Sequence, residues 1–173
     1  MRQPTKSEIN QIRNEGFRPQ AVACILHDKK ILFLYKKEHE LWQFPQGGID
    51  NGEDLEMAFF REMTEELGGE FVKSFGKNWL YFGDNEIIFS AQEQNLRELR
   101  GDDGQEIAMR GKRYFFILVQ AGSAQFAVSN SEFDDYRWLS LEDGVSLCAG
   151  IHQKGKKRIM LKALEQLREL GCL

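Results

Sequence analysis

Three carboxylates crowd into one short stretch of the chain. Glu62, Glu65 and Glu66 are spaced three positions and then one position apart, and side chains three or four residues apart on a helix lie on the same face. At roughly 100° per residue, Glu62 and Glu66 are only about 40° apart around the helix axis. Carboxylates held together repel one another, so this spacing predicts a bound cation. The chemistry that a hard divalent cation most often supports is phosphate chemistry.

The helix that positions these acids is predicted over residues 54–67. A turn with early acidic residues at 51–54 suits a helix N-terminus, and the glycines at 68–69 suit its end. Apolar residues recur between them at helical spacing. These residues are Leu55, Ala58, Phe59, Met63 and Leu67. Glu62 and Glu66 fall within the arc of this stripe rather than opposite it.

Two structural explanations of the acidic cluster are weaker than a metal site. A solvated surface face, which most charge runs form, would place the acids opposite the apolar stripe. Arg61 alone does not neutralise three carboxylates. Glu62 and Glu66 also lie near the negative end of the helix dipole, which costs about a few tenths of a kcal/mol each. A local penalty without a structural gain indicates a functional site.

The same segment carries a resemblance to a known family. The spacing G-x5-E-x7-R-E-U-x-E-E-x-G-U, in which U is a bulky apolar residue, is matched except at its last position, where Gly69 stands. The matching residues are Gly47, Glu53, Arg61, Glu62, Met63, Glu65, Glu66 and Gly68. This pattern resembles the Nudix box, so the chain is similar to the Nudix hydrolase superfamily. So many positions at rigid spacing make the match far more specific than a lone glycine motif.

Other segments resemble one branch of that superfamily, the diadenosine tetraphosphate hydrolases and bacterial RNA 5′-pyrophosphohydrolases. The similar segments are residues 16–19, 42–50, 78–80 and 132–138. Two segments depart from that branch. Residues 109–114 replace a Gln-x-Gln-Lys-Trp type of stretch, and residues 150–154 replace a Phe-Lys pair. Both departures concern substrate recognition rather than the reaction.

The resemblance implies a Mg²⁺-dependent pyrophosphohydrolase, with Mn²⁺ as a possible substitute, in which water attacks a phosphorus of a nucleoside polyphosphate. The substrate is either a dinucleoside polyphosphate such as diadenosine tetraphosphate or the 5′-triphosphate end of RNA. The expected catalytic residues are Glu53, Arg61, Glu62, Glu65, Glu66 and Glu132. The expected metal ligands are the Gly47 carbonyl, Glu62, Glu65 and Glu66. Arg61 orients the cluster by pairing with Glu53, and Glu132 is the candidate general base.

Candidate substrate-binding residues lie outside the box. Cations are expected to hold the outer phosphates and aromatic rings to stack on a base. The candidates are Arg18, Lys37, Tyr81, Lys112, Tyr114 and Lys154, with Lys36 and Phe82 as neighbouring alternatives. Ordinary surface lysines and core aromatic residues are the competing interpretation of each.

Two other functions stay open. One is a nucleotide-binding or regulatory Nudix module without turnover, although the complete set of box glutamates favours an enzyme. The other is a pyrophosphatase that sanitises damaged mononucleotides, which would share the box but not the lead-in at residues 42–48.

Length and composition set the remaining expectations. A chain of 173 residues with 42% apolar residues predicts one domain over residues 1–173, with an N-terminal helical extension at 1–15 and a C-terminal helix at 150–173. A net charge of −4 argues against broad coating of nucleic acid. The absence of a long apolar run and of a signal pattern argues against membrane association. Three cysteines without a pairing motif predict reduced thiols and a cytoplasmic location.

Strands and helices interleave irregularly, which indicates an α/β (α+β) fold with a mixed sheet between helices; the resemblance implies the Nudix α/β/α sandwich. Strands are expected at 21–26, 31–35, 71–75, 87–92, 113–120 and 136–139. Helices are expected at 4–15, 54–67, from 141, and at 156–170, and loops at 38–42 and 93–111.

Overall fold

The computed structural model describes residues 1–94 and 97–172. The strands are β1 (Phe17–His27), β2 (Lys30–Lys36), β3 (Leu41–Gln43), β4 (Gln46–Gly48), β5 (Phe75–Ile88), β6 (Glu98–Arg100), β7 (Glu106–Ala108), β8 (Gly111–Ala121) and β9 (Asp135–Leu139). The helices are α1 (Lys6–Asn14), α2 (Leu55–Leu67), α3 (Gly69–Val72), α4 (Ala91–Gln94), α5 (Leu141–Ala149) and α6 (Lys154–Glu169), with short 3₁₀ turns at Lys37–His39 and Val128–Asn130.

A seven-stranded mixed sheet forms the centre of the molecule. Its main order is β3-β2-β1-β8-β5, with β4 paired to β1 and β9 paired to β2. The β1–β8 pair is parallel, and the other pairs of this sheet are antiparallel. Strands β1 and β8 are buried almost without interruption, as expected for strands covered on both faces.

Helices cover the two faces of the sheet. Ala21 and Ala23 of β1 point into the layer that contains α1 and α2. Val22 and Cys24 point into the layer that contains α5 and α6, because successive side chains of a strand alternate between faces. The expected α/β/α sandwich with a mixed sheet is confirmed. No helix within the described residues is long and apolar enough to cross a membrane.

Helix α2 has the boundaries that its sequence predicts. The Asp54 side chain caps its start by accepting a hydrogen bond of 2.9 Å from the backbone N–H of Met57. Gly68, at φ 84°, ends it in a conformation that favours glycine. The stripe at helical spacing is buried against the sheet. The helix therefore brings the box acids to the sheet together with its apolar face.

Two strand expectations are wrong. The sequence predicts a strand at residues 71–75, but α3 ends only at Val72 and β5 starts at Phe75. Residues 87–92 were also expected as a strand, but β5 ends at Ile88 and α4 begins at Ala91. Short apolar runs do not distinguish a strand from a helical turn. Strand β5 lies at the sheet edge, is largely exposed over 76–80, and has two irregularities in its register, so its alternation is weak.

The two expected loops contain regular structure. Residues 38–42 include part of a 3₁₀ turn and the first residues of β3. The segment 93–111 includes the end of α4 and the β6–β7 hairpin, while its residues 95–96 lie outside the described part of the chain. The remaining expected helices and strands are confirmed, each within a few residues of its expected ends except β1, which begins four residues early.

Candidate active site

Arg61 connects the acids of the box to the backbone of β4. Its guanidinium binds both carboxylate oxygens of Glu53 at 2.7 Å, one oxygen of Glu62 at 2.7 Å and the carbonyl of Gly48 at 2.9 Å. The hydrogen bonds from Arg61 are the main reason that the pKa of Glu53 lies below its usual value. Glu65 is more loosely held, because its side chain is 57% exposed and lies 3.5 Å from Arg61. Glu53 therefore orients Arg61, and Arg61 orients Glu62.

Two of the box carboxylates converge on β4. One oxygen of Glu66 accepts a hydrogen bond of 2.8 Å from the backbone N–H of Gln46. Glu62 packs directly over Gly47, where a Cβ atom would overlap its carboxylate. Because Gln46 and Gly47 are consecutive, the two carboxylates meet at one place beside the sheet. Glycine at position 47 is required by this close approach.

Among the acids of the site, Glu66 has the most strongly shifted pKa. Loss of hydration raises its pKa to about 8, which the Gln46 N–H and the charge of Lys156 partly oppose. The charges of Glu62 and Glu132 raise it further. Ionised Glu66 is thus unfavourable unless a cation joins it.

Glu132 lies beside Glu66 although 66 positions separate them in sequence. Its backbone N–H donates to the Glu66 carbonyl at 2.9 Å. Its side chain is 54% exposed and pairs with the ammonium of Lys36 at 3.3 Å. The structure therefore brings Glu132 to the carboxylate cluster, with its acid open to solvent.

The donor set fits a hard divalent cation with open coordination positions. Within residues 1–94 and 97–172, no group of three or more His, Cys, Asp or Glu side chains forms a preassembled cage, since Glu65 is turned towards Arg61 and solvent. Glu62 and Glu66 nevertheless converge, and Mg²⁺ typically uses one or two carboxylates plus waters and substrate phosphates. The backbone of Gln46 and Gly47 lies beside both acids, and a carbonyl of this segment would add a further oxygen.

A cleft of about 350 Å³ opens beside Glu66. The residues that line this Glu66 cleft are Lys36, His39, Leu41, Gln43, Gln46, Glu66, Gln153 and Lys156. The ammonium of Lys156 donates to the Gln43 side chain at 3.0 Å. Loss of hydration and the neighbouring charges of Lys112 and Lys36 lower the pKa of Lys156 to about 7, while Glu66 opposes this shift. The cleft thus contains an acid and a cation whose charged forms are both disfavoured by loss of hydration.

The sequence pattern indicates Lys154 as a phosphate-binding candidate and does not single out Lys156. Lys154 is exposed at the start of α6. Lys156 precedes the buried residues Ile159, Met160 and Ala163 by three, four and seven positions, so it belongs to the apolar face of the helix. A charged residue at a stripe position is the signal that identifies it.

Three of the expected substrate-binding residues share the sheet face that carries the α6 layer. Arg18 and Lys112 are direct neighbours in the parallel β1–β8 register, and Tyr114 follows on the same face of β8. The guanidinium of Arg18 lies close over Gly48, where an added Cβ would come within 3.0 Å of it. Burial raises the pKa of Tyr114 to about 12, which the charge of Arg18 partly opposes.

Lys37 and Tyr81 are placed differently. Lys37 lies at the rim next to Lys36, and its backbone N–H donates to Asp134 at 2.7 Å. Tyr81 points into the opposite layer, where its hydroxyl donates to Asp84 at 2.8 Å. The structure does not bring Tyr81 to the Glu66 cleft, because its position along β5 directs it to the α1 and α2 side. Phe82, the next residue, points to the α6 side.

The fold is similar to several solved structures. A dihydroneopterin triphosphate pyrophosphohydrolase of E. coli matches with a TM-score of 0.59 at 16% identity, over 87% of this chain and 95% of that one. A MutT NUDIX hydrolase of Burkholderia pseudomallei matches with a TM-score of 0.57 at 22% identity, over 87% and 97%.

Sequence comparison gives relatives that align over most of the chain. An RNA pyrophosphohydrolase of Aeromonas hydrophila is 28% identical over 158 residues, which are 86% of this chain and 85% of the relative. An RNA pyrophosphohydrolase of Campylobacter jejuni is 28% identical over 168 residues, which are 92% and 97%. The NUDIX domain family model matches residues 17–161, a range that contains the box, the Glu66 cleft and Glu132. The chain therefore belongs to the Nudix family.

Proposed function

We propose that this chain is a Mg²⁺-dependent pyrophosphohydrolase that acts on a nucleoside polyphosphate, with the 5′-triphosphate end of RNA as the leading substrate. The observation that carries the proposal is the convergence of Glu62 and Glu66 on Gln46 and Gly47, with Lys156 across the cleft. The relatives named RNA pyrophosphohydrolase, which align over about nine-tenths of the chain, support the choice of RNA.

Nudix hydrolases generally use divalent metals, and the carboxylate pair fits one. The cation, when bound, neutralises phosphate charge, polarises the attacked phosphorus and lowers the pKa of water. Glu62 and Glu66 would hold it, with the Gly47 carbonyl and Glu65 as further ligands. Mg²⁺ is favoured over softer metals because the donors are all oxygens.

The other residues of the site position groups or move a proton. Arg61 fixes the Glu62 carboxylate while Glu53 holds Arg61 in place. Glu132 would accept the proton of the attacking water, since its solvent-open acid lies beside the carboxylate cluster. Its carboxylate pairs with Lys36 at 3.3 Å, which would keep the acid near the cleft that Lys36 lines.

Cations around the Glu66 cleft would bind the phosphate chain. Lys36 and Lys156 line the cleft itself, and Arg18 and Lys112 continue the basic surface along the ends of β1 and β8. The chain as a whole carries a net charge of −4. Binding is therefore expected to be local to this surface rather than spread over the molecule.

Glu66→Gln tests the metal site. We expect hydrolysis to fall at least about 100-fold, because the variant removes a negative ligand while the amide still accepts from the Gln46 N–H. Titration calorimetry should show Mg²⁺ uptake by the wild type in the presence of nucleotide and a weakened uptake by the variant. Glu70→Gln, an exposed acid just beyond the same helix, is the matched control and should behave as the wild type. An unchanged rate in Glu66→Gln rejects this site as the catalytic centre.

Product analysis with three substrate classes separates the candidate functions. Release of phosphate or pyrophosphate from triphosphorylated RNA supports the leading assignment. Preferential cleavage of diadenosine tetraphosphate supports the dinucleoside alternative; the departures at 109–114 and 150–154 slightly weaken the RNA assignment. Selective hydrolysis of mononucleotides supports a sanitising enzyme, and binding without turnover supports a regulatory module.

A further inference from the structure

An arginine of the segment between β5 and β8, Arg97, lies near the sheet face that carries Arg18, Lys112 and Tyr114. The carbonyl of Arg97 accepts a backbone hydrogen bond of 3.1 Å from Met109, so Arg97 is held at the base of the β6–β7 hairpin. Its guanidinium lies over the ring of Phe89, 4.6 Å from the centroid. The hairpin is tied to the lead-in of α2 by a hydrogen bond of 2.8 Å from the Asn51 amide to the Gly101 carbonyl. The hairpin that Arg97 precedes is thus held both at its base and at its turn.

Arg97 joins Arg18 and Lys112 at this face. Its guanidinium lies over Phe89, which follows Ile87 by two residues, and Ile87 is the direct neighbour of Lys112 in the β5–β8 register and packs on the α6 side. Besides burial, which is the larger cause, the charges of Arg18 and Arg97 both lower the pKa of Lys112. The same two charges act on Tyr114, the next residue on that face of β8. Lys112 in turn acts on Lys156 in the Glu66 cleft. Basic side chains therefore continue from the cleft to the base of the hairpin.

These three cations have no acidic partner among the described residues. No carboxylate of residues 1–94 or 97–172 lies within 4.0 Å of Arg18, Arg97 or Lys112. Arg113, by contrast, points to the other face and pairs with two acids. A group of unpaired cations costs repulsion that a bound polyanion relieves.

We propose that Arg97 completes, with Arg18 and Lys112, a subsite for a substrate phosphate that is not itself attacked. Guanidinium groups bind phosphate with two parallel hydrogen bonds. Stacking on Phe89 restricts the Arg97 side chain in advance and lowers the entropy lost on binding. The inference rests on the proposed function, because the subsite borders the same cleft. The phosphate is either an outer phosphate of the 5′ end or a phosphodiester of the following chain.

Binding without metal or turnover tests the subsite directly. Affinities for inorganic tripolyphosphate and for a short 5′-phosphorylated RNA are measured by calorimetry in EDTA. We expect Arg97→Gln to weaken at least one of them roughly three- to tenfold, as suits one exposed charge contact. Arg100→Gln, an exposed arginine in the same hairpin, should bind both as the wild type does. The subsite is rejected if Arg97→Gln binds both probes as tightly as Arg100→Gln and the wild type do.

Arg97→Lys distinguishes phosphate binding from a role in holding the hairpin. Lysine retains the charge and loses the planar fork, so we expect it to recover part of the lost affinity. The dependence of RNA affinity on salt should also weaken for Arg97→Gln, by a slope of roughly 0.7, and recover in Arg97→Lys. A loss of affinity equal in both variants, with an unchanged salt slope and a lowered melting temperature, assigns Arg97 to structure and overturns the proposal.

Kinetics identify which phosphate is bound. A defect of Arg97→Gln that appears in KM with a nucleoside triphosphate indicates an outer phosphate. A defect that appears only with triphosphorylated oligonucleotides of two or more residues indicates a phosphodiester. Absence of a defect with every substrate that the wild type hydrolyses overturns the subsite. Failure of the proposed function is seen separately, as no turnover by the wild type, while the EDTA measurements still report on Arg97.

Discussion

Two polar clusters of the molecule are built differently. One lies on the α1 side of β5 and β8, and the other joins Glu66 of α2 and Lys156 of α6 to residues on the α6 side of β1 and β8. The Tyr81 cluster consists of Tyr81, Asp84, Glu86 and Arg113. Its tyrosine donates to Asp84 at 2.8 Å, and Arg113 pairs with Asp84 at 2.7 Å and with Glu86 at 2.8 Å. Each acid in this cluster therefore has a cation, which is the usual state of charges that serve the fold.

The cleft cluster consists of Glu66, Lys156, Lys112 and Arg18. Among the described residues, none of its four charges forms an ion pair within 4.0 Å. The pKa of Glu66 is raised to about 8 and that of Lys156 is lowered to about 7, in both cases chiefly by loss of hydration. Charges that are unpaired and poorly hydrated, with shifted pKa values, are typical of a site that a ligand completes.

Adjacent residues of β8 show how the two clusters arise. Arg113 points to the α1 side and pairs with two acids. Lys112 points to the α6 side, where the charges that act on it within the described residues are those of Arg18 and Arg97. Strand alternation alone separates them. We therefore predict that pairing, rather than residue type, distinguishes a charge that serves the fold from one that binds substrate.

Lys156→Met should give the largest effect that tests this difference. We expect kcat/KM to fall about ten- to a hundredfold, the effect of losing one charged hydrogen bond to phosphate. The free energy of unfolding should stay equal or rise, because methionine suits the buried face of α6 and needs no hydration. Steady-state kinetics and urea denaturation measure the two quantities.

Lys162→Met is the matched control on the same helix. Lys162 is 38% exposed and pairs with Glu165 at 2.6 Å, so its loss should leave kcat/KM unchanged within about twofold. If Lys156→Met destabilised the protein strongly and left kcat/KM intact, Lys156 would be a structural charge and the contrast between the clusters would disappear.

The raised pKa of Glu66 should make the free energy of unfolding of the metal-free protein depend on pH. The folded pKa of Glu66 is raised from 4.5 to about 8. A raised pKa contributes stability that is complete below the unfolded value and is lost as pH rises through the folded value. In EDTA the wild type should therefore lose about 1 to 3 kcal/mol relative to Glu66→Gln between pH 4.5 and pH 8.5. Urea denaturation across this range measures the difference.

The pKa of Lys156 is shifted in the opposite direction, which alters stability over the same pH range. Comparison with Glu66→Gln, which retains Lys156, is therefore needed to isolate the contribution of Glu66. The lowered pKa of Lys156 contributes stability above 10.5 that is lost as pH falls through about 7. Adding Mg²⁺ should restore the wild type at pH 8.5 and leave Glu66→Gln unchanged, since a bound cation stabilises ionised Glu66. Parallel pH profiles for the two proteins in EDTA would mean that Glu66 is well hydrated and that the cluster is not strained.

The sequence was sufficient to predict the helix side of the site. The motif from Gly47 to Gly68 and the stripe of α2 encode a rigid local arrangement, so the proximity of Glu62 and Glu66 follows from helix geometry. Even the role of Arg61 beside Glu53 depends on a short separation in sequence. Local periodicity therefore gave both the fold element and the acids that it carries.

The far side of the site depended on tertiary structure that sequence periodicity does not show. Tyr81 was a stacking candidate, but the irregular register of β5 hides which face each residue takes. The sequence does not single out Lys156, because four other basic residues surround it, at Lys154, Lys157, Arg158 and Lys162. The position of Arg97 depends on the β6–β7 hairpin, which lies in a segment without clear alternation.

Tyr81→Phe should have the smallest effect and completes the comparison. The variant removes one hydrogen bond, and Asp84 keeps its partner Arg113, so we expect a loss of about 1 kcal/mol in the free energy of unfolding. Because the ring lies on the α1 side, kcat/KM should stay within about twofold of the wild type. Tyr114→Phe, on the cleft side, is the control that reports any contribution of a tyrosine hydroxyl to substrate binding. A larger fall in kcat/KM for Tyr81→Phe than for Tyr114→Phe would assign function to the paired cluster, and pairing would then cease to separate structural from functional charges in this fold.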